Sequence, residues 1–306
     1  MTGRKRQRNL AASVHQRLLT IARERRDELQ SVLARYGVER LLYRLGESPA
    51  QERFVLKGAV LFTLWDGSPH RPTRDVDFLA YGDSSPDAVA GAFRELCTAD
   101  VEPDGLTFLA DTVKAEPIRD RQEYGGVRVT LLVTLGAARI PMQIDVGFGD
   151  AVTPPATISA FPTLLDFPAP RVRAYSSETV VAEKAEAMVS LGIVNTRMKD
   201  FYDLWLLAGT RAFDGAILGR AIDATFSRRG TPIPTGIPVA FGEAFSRDRE
   251  RQAQWAAFLS RARLTGAPRE LAATVERIRE FIFPLIDALS REDDFCLKWT
   301  PTAGWR

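Results

Sequence analysis

Nitrogen and sulfur ligands are scarce: 306 residues contain two cysteines and two histidines. Cys97 and Cys296 lie far apart in the chain, which argues against a disulfide framework, and so few soft ligands argue against a zinc centre. Any metal must then be held by oxygen. Long apolar runs are also missing, since the longest, such as Val129 to Leu135, have the length of a strand rather than a membrane span. No membrane association is expected. The basic start (Arg4, Lys5, Arg6, Arg8) lacks the continuous apolar stretch of a secretory signal, so a cytoplasmic location is expected. Charge of one sign does not dominate either: 41 Lys and Arg face 39 Asp and Glu, and a net charge of +2 does not by itself mark a nucleic-acid binder. Repeats and low-complexity tracts are absent. What is present, 45% hydrophobic and 26% charged residues, is the composition of a globular chain with room for two domains.

Periodicity organises the chain. Leu18, Ile21, Ala22, Leu29, Val32 and Leu33 recur at helical spacing between Leu10 and about Arg44, and Gly46 to Gln51 ends that pattern. Arg53 to Leu56 reads as a strand, Lys57-Gly58 as a turn and Ala59 to Trp65 as a short helix. A Gly-, Pro- and Ser-rich loop leads into a strand at Asp75 to Ala80. A helix at Pro86 to Leu96 follows, then strand candidates at Thr112 to Ile118, Gly126 to Leu135 and Arg139 to Phe148. Pro154 to Pro170 is the clearest boundary. Beyond a short strand at Arg171 to Tyr175, helices are predicted at Ser177 to Leu191, Thr196 to Ala208, Phe213 to Ser227, Phe241 to Arg263 and Pro268 to Ser290. The fold class is α+β: a mixed sheet flanked by helices in residues 1–170, then a mainly helical domain in residues 171–306.

The residues with chemistry cluster around RPTRDVDF, Arg71 to Phe78. Alternation turns Val76 and Phe78 inward and leaves Asp75 and Asp77 on the other face, roughly 6 to 7 Å apart along the strand. Such a pair repels itself unless a cation or basic groups offset it. The ordinary explanation is a surface strand paired with Arg71 and Arg74. A third acid, Asp145, projects from the polar face of Ile140 to Phe148. If that strand lies beside Asp75–Ala80, three carboxylates converge, enough to hold two Mg²⁺, with Asp145 placed to take a proton from an attacking hydroxyl. Taken alone, Asp145 is an acid on an exposed strand face. Lys57-Gly58-Ala59 passes from strand to helix through a glycine, a turn that lets phosphate approach backbone N–H groups.

Two later helices carry further charged positions. Lys184 sits within the apolar stripe of Val180, Val181, Ala185, Met188 and Leu191, so it requires a partner or must snorkel. In Arg197 to Trp205, Asp200 and Asp203 share one flank, and Lys199 is spaced to pair with Asp203. Basic clusters at Arg23, Arg25 and Arg26 and at Arg228 and Arg229 are solvated helix faces or, if an RNA is the partner, its phosphate contacts.

Taken in order, LKGAVLF, R-x-T-R-D-V-D-F, Q-I-D-V, V-x-E-K-x-E-A-M and R-M-K-D-F-Y-D-L resemble the AbiEii/MenT family of nucleotidyltransferase toxins, whose core looks like a minimal DNA polymerase β-type domain. Asn9 to Leu19, Gln254 to Leu259 and Gly304-Trp305-Arg306 are also similar to that family. The resemblance implies a toxin of a type IV toxin–antitoxin or phage-defence pair, restrained by an AbiEi-type antitoxin with a winged-helix region. It further implies transfer of NMP from an NTP to the 3′ end of tRNA, which blocks translation. Carried over by motif, Asp75 and Asp77 bind Mg²⁺, Asp145 is the third carboxylate, Lys184 binds phosphate, and Asp203 is the last motif's acid. The nucleotide-binding set is Lys57, Gly58, Ala59, Arg71, Arg74, Lys199 and Asp200. Ala59 offers no hydroxyl where related sequences often carry a second small residue, so side-chain contact with phosphate is not expected there. Thr73 resembles a Ser/Thr position of related toxins and is either a turn former or a phosphorylation site that would act as an off switch. Two other functions use the same residues: nucleotidyl transfer to a protein or small-molecule hydroxyl, and NTP binding without catalysis.

Overall fold

The computed structural model describes residues 2–73, 75–118 and 125–306, with side chains from Asn9 onward. Two compact units emerge, one of residues 1–149 and 157–174, the other of residues 150–156 and 175–306.

The first unit opens with helices α1 (Thr2–Arg25) and α2 (Leu29–Gly46). Strand β1 (Phe54–Lys57), helix α3 (Val60–Asp66), strand β2 (Asp75–Ala80) and helix α4 (Pro86–Cys97) follow. Strands β3 (Leu106–Ile118), β4 (Gly126–Leu135), β5 (Ala138–Phe148), β6 (Thr157–Ala160) and β7 (Arg171–Ala174) complete a seven-stranded sheet in the order β3-β4-β5-β2-β1-β7-β6. The sheet is mixed, because β2 runs parallel to β5 and β1 parallel to β7 while the other pairings are antiparallel.

Local chemistry explains the elements. Helix α4 starts where the Ser85 hydroxyl accepts the Ala88 N–H, with Pro86 in the first turn, where a missing N–H costs nothing. In β5 the buried residues Ile140, Met142, Ile144 and Val146 alternate with Arg139, Pro141, Gln143 and Asp145 on the open face. Phe54, at the centre of the core, meets Phe78 and Phe93 edge-on with ring centroids 5.8 and 5.5 Å apart. Truncating Phe78 to alanine removes that packing and is expected to cost about 3–5 kcal/mol.

Helix α2 buries charge as well as apolar surface. Arg44 holds both oxygens of Asp104, at 2.6 and 3.3 Å, and the Tyr36 hydroxyl donates to the Asp104 carbonyl. Glu39, almost fully buried, accepts the Leu164 N–H at 2.7 Å.

Two parts of this unit differ from the sequence expectation. β3 begins at Leu106, earlier than the expected Thr112, and its register with β4 shifts between Leu109 and Lys114. Thr112 repairs the gap, its hydroxyl accepting the Leu132 N–H and donating to the Leu109 carbonyl. The irregularity breaks the alternation that would have announced the strand's first half. The Pro-rich stretch contains edge strand β6, and β7 pairs with β6 and β1, so the sheet unit extends to Ala174, past the expected division at 170.

The second unit contains α5 (Ser177–Leu191), α6 (Met198–Thr210), β8 (Phe213–Asp214), α7 (Gly215–Arg229), α8 (Glu243–Ser246), α9 (Arg249–Ala262), α10 (Leu271–Ser290), β9 (Lys298–Thr300) and β10 (Gly304–Trp305). It is mainly helical, with a small β10-β9-β8 sheet that the sequence reading does not anticipate. Phe281 of α10 packs against Phe213, Trp299 and Trp305, and the buried Trp299 indole donates to the Ala208 carbonyl at 2.9 Å. The single helix expected from Phe241 to Arg263 is instead divided, because Asp248 adopts an extended backbone and its carboxylate caps α9 through the Arg251 N–H. Among the described residues, no helix is long and apolar enough to cross a membrane.

Candidate active site

The open face of the sheet carries an ordered row of charge. Lys57 of β1 lies opposite Asp77 of β2, Asp77 beside Asp145 of β5, Asp145 opposite Arg128 of β4, and Arg128 opposite Glu116 of β3. Register partners in a sheet project to the same side, with neighbouring strands about 4.8 Å apart. Two carboxylates therefore sit side by side, flanked by a cation at each end. Asp75 occupies the adjacent row opposite Gln143. Val76, Phe78, Ile144 and Val146 fill the buried face, which holds Asp75, Asp77 and Asp145 on the half-exposed one.

Gly58 brings the turn after β1 against this row. Its backbone is left-handed, with φ +74°, and a Cβ built there would lie 2.7 Å from the Asp77 Cγ and overlap its carboxylate. Glycine is thus required both for its conformation and for the room it leaves. That room, expected from the sequence to admit phosphate, has the Asp77 side chain against it in the structure.

Asp145 is not an isolated acid. Arg128 grips it with both ends of its guanidinium, Nε to Oδ1 at 2.8 Å and the terminal nitrogen to Oδ2 at 2.7 Å. This fork-to-fork pair raises the Arg128 pKa above its already high ordinary value, through the bond to Asp145 first and with Asp75 and Glu116 contributing. The sequence reading misses Arg128, although the two-residue link Gly136-Ala137 held the signal: seven residues back from Leu135 and seven on from Ala138 are Arg128 and Asp145.

A divalent cation suits this donor chemistry, since Asp75, Asp77 and Asp145 supply only carboxylate oxygens, which hard cations such as Mg²⁺ prefer. Among the described residues no three acidic, histidine or cysteine side chains already stand in a metal-holding arrangement, and Asp145 is committed to Arg128. The fit is therefore to Asp75 and Asp77 directly, with Asp145 alongside.

In the helical unit, Lys184 finds the partners that its place in an apolar stripe demands. Its ammonium lies 2.6 Å from Asp200 Oδ1 and 2.8 Å from Asp203 Oδ2, both on α6 and both buried. Spacing of three residues puts these acids on one helix face. Arg197 adds a second cation to Asp200 at 2.8 Å. Burial pushes the Asp200 carboxyl upward, but Lys184 and Arg197 outweigh it and hold the carboxyl below its ordinary range. The Lys199–Asp203 pairing expected from spacing does not form: Lys199 is exposed, and Asp203 turns inward to Lys184.

The same motif supplies a second cluster. Arg229 of α7 binds Asp150 at 3.0 Å, Glu183 at 3.6 Å and Glu186 at 2.7 Å, and the Thr231 hydroxyl donates to Glu186 at 2.6 Å. Burial opposes the Arg229 charge, but Glu183, Asp150 and Glu186 more than offset it, so its pKa is raised. Arg229 is consequently not an RNA phosphate contact, a correction to the sequence reading. Arg228, Arg23, Arg25 and Arg26 are exposed.

Thr73 is exposed and its hydroxyl donates to the Asp75 carbonyl at 3.3 Å, so it shapes the entry to β2. Arg71 is described and half-buried; Arg74 lies outside the described residues. The structure thus groups Lys57, Gly58, Asp75, Asp77 and Asp145 in the sheet unit, and Lys184, Asp200 and Asp203 in the helical unit.

Paired carboxylates on adjacent strands thus stand beside a strand–glycine–helix turn in the mixed sheet, donors suited to a divalent cation next to a turn open to phosphate. The family model "Nucleotidyl transferase AbiEii toxin, Type IV TA system" matches residues 40–281, and the chain belongs to this family of toxins of type IV toxin–antitoxin systems. No curated protein matches it. Solved structures similar to it include an H. pylori protein proposed to be a nucleotidyltransferase, at 14% identity and a TM-score of 0.48, covering 88% of this chain and 100% of that one. JHP933 from Helicobacter pylori is similar at 14% identity and a TM-score of 0.45, covering 83% of this chain and 90% of that one.

Proposed function

We propose that this protein transfers NMP from an NTP to the 3′ end of tRNA and thereby blocks translation. The observation that supports it best is the side-by-side placement of Asp77 and Asp145, with Asp75 in the next row and Gly58 closed against Asp77. In this reading the RNA 3′ oxygen attacks the α-phosphorus in line, an O–P bond forms, and the bond to the β-phosphate breaks to release pyrophosphate. Asp75 and Asp77 are the Mg²⁺ ligands, and Mg²⁺, when bound, supplies charge neutralisation and an acidified hydroxyl. Asp145 accepts the hydroxyl proton at a carboxylate oxygen. Lys57, at the end of the charged row, and Lys184, carried over from the family motif, bind phosphate oxygens by charge-assisted hydrogen bonds. Gly58 and Ala59 allow close backbone approach, and Arg71, Arg74, Lys199 and Asp200 complete the proposed nucleotide-binding set.

Membership of a type IV family implies an antitoxin partner. We assign that role to an AbiEi-type protein with a winged-helix region, and a cytoplasmic setting and phage defence go with the same reading. Thr73, beside the acids, is the position at which phosphorylation would add about −1.5 to −2 charges and act as an off switch. One observation favours NTP binding without catalysis: the Arg128–Asp145 pair withholds the third carboxylate. Transfer to a protein or small-molecule hydroxyl would use the same acids.

The discriminating experiment supplies the protein with total RNA, Mg²⁺ and each α-labelled NTP in turn. Label in tRNA supports the proposal. Label only in protein or small molecules moves the acceptor, and label nowhere, with NTP still bound, leaves the binding protein.

A further inference from the structure

Asp145 stands between two possible cations, one of which belongs to the protein. Arg128 holds both of its oxygens in a partly exposed pair, and the arginine's other register neighbour, across β4 on β3, is Glu116. Glu116 is exposed, and its charge already acts on Arg128. The guanidinium therefore has a carboxylate on each side of its own strand, one belonging to the candidate site and the other outside it.

We infer that Arg128 is a positioning residue with two seats: on Asp145 it occupies the third carboxylate of the site, and on Glu116 it releases that carboxylate to a divalent cation. The inference rests on the metal-binding reading of Asp75 and Asp77 and adds a control to it. A cation held by Asp75 and Asp77 would meet the full negative charge of Asp145 alongside only if Arg128 withdraws, because two cations close to one carboxylate repel each other. Withdrawal is inexpensive if the long side chain exchanges one carboxylate for another on the same sheet face. The pair is also open to solvent, with side chains 38% and 21% exposed, so water reaches both groups as the guanidinium exchanges.

The test is direct Mn²⁺ binding, read from loss of the free-ion paramagnetic signal, with no nucleotide and no turnover. Arg128→Gln is expected to bind Mn²⁺ on the order of tenfold more tightly than wild type. Arg128→Lys, which keeps the charge but cannot grip both oxygens, should fall between the two. Glu116→Gln removes the second seat and should weaken binding by about threefold. Lys114→Gln, also on β3 but in the row of Asp75 through Thr130 and Gln143, controls for general charge and should change binding by less than about twofold. Circular dichroism and melting of each variant establish folding independently, and the Arg128 Nε–H resonance of the wild-type protein should shift on titration with Mg²⁺.

Equal binding by wild type, Arg128→Gln and Arg128→Lys, together with loss of binding in Asp77→Asn, would overturn the two-seat inference and leave the metal site intact. Equal tightening in Lys114→Gln would overturn it too, since bulk charge would then explain the effect. Absence of Mn²⁺ binding in all variants would remove the metal-site reading and this inference with it.

Discussion

Asp145 and Asp200 are both acids gripped by a basic residue at hydrogen-bond distance, yet they lie in opposite environments. Asp145 and Arg128 sit on an open sheet face with side chains 21% and 38% exposed, whereas Asp200 is 2% exposed and shares its lysine with the fully buried Asp203. Coulomb attraction is similar in kind, but the alternative to pairing is not. Water and Glu116 are available to the first pair if it opens. For the second, opening leaves charge in a poorly solvated interior, which costs several kcal/mol per ion. The sheet pair is suited to exchange partners and the helix cluster to remain fixed.

The largest effect is expected at Lys184. Lys184→Ala should destabilise the protein by about 3–5 kcal/mol in urea unfolding, because the two buried acids lose the ammonium they share and Arg197 remains to offset Asp200 alone. Lys184→Met keeps the stem and should be nearly as damaging, which separates charge from packing. Adding Asp200→Asn and Asp203→Asn to Lys184→Met should recover most of the loss. Arg128→Gln, by contrast, should cost about 1 kcal/mol or less. Equal losses at the two sites would break the comparison.

Gly58→Ala comes next. The new methyl overlaps the Asp77 carboxylate at a left-handed backbone position, so Asp77 must move. A displacement of about 1 Å at a reacting centre can cost on the order of 100-fold, and that is the expected fall in transfer rate, with a stability loss near 1 kcal/mol in thermal melting. Unchanged activity would show that the turn and the acid are not coupled.

Titration separates two buried acids by sign. The Asp200 carboxyl is held below its ordinary value of 3.8, so its contribution to stability is present above that pH and is lost as pH falls below it. Glu39 is the reverse: burial raises its pKa from 4.5 to about 7, against the opposing pull of the Leu164 N–H and Arg40, so stability is lost as pH rises from about 4.5 through 7. Urea midpoints measured across pH should show Glu39→Gln flattening the upper window and Asp200→Asn the acid limb. Each substitution should leave the other window unchanged.

How much of this was legible depended on how local the determinants were. β2, α5 and the turn at Gly58 follow from alternation, an apolar stripe and one glycine, all carried by neighbouring residues. Lys184's need for a partner was legible from its stripe, but the partner's identity was not, because Lys199 satisfies the i,i+4 rule for Asp203 and only the fold shows Asp203 turned inward. The β8–β9–β10 sheet escaped notice because its strands are two or three residues long, too short for any period to show. Arg229 looked like surface charge because Asp150 lies far away in sequence. Arg128 was within reach of register counting, which the hydrophobic pattern alone does not perform.

The smallest effect is expected at the exposed basic cluster. Replacing Arg23, Arg25 and Arg26 with glutamine should raise the KM for RNA a few-fold and reduce the salt slope by up to about three, with little change in NTP binding. An unchanged slope would place the RNA path elsewhere.

The central claim is that the acids of the sheet face transfer nucleotide to RNA, and the most direct measurement is single-turnover transfer of label from α-labelled NTP to tRNA by wild type and by Asp77→Asn. Asp77 is half-exposed on the open face, so the variant is expected to melt within about 1 kcal/mol of wild type while losing at least about 100-fold in rate, with label found at the tRNA 3′ end in the wild-type reaction. A folded Asp77→Asn protein that labels tRNA at the wild-type rate would contradict the account.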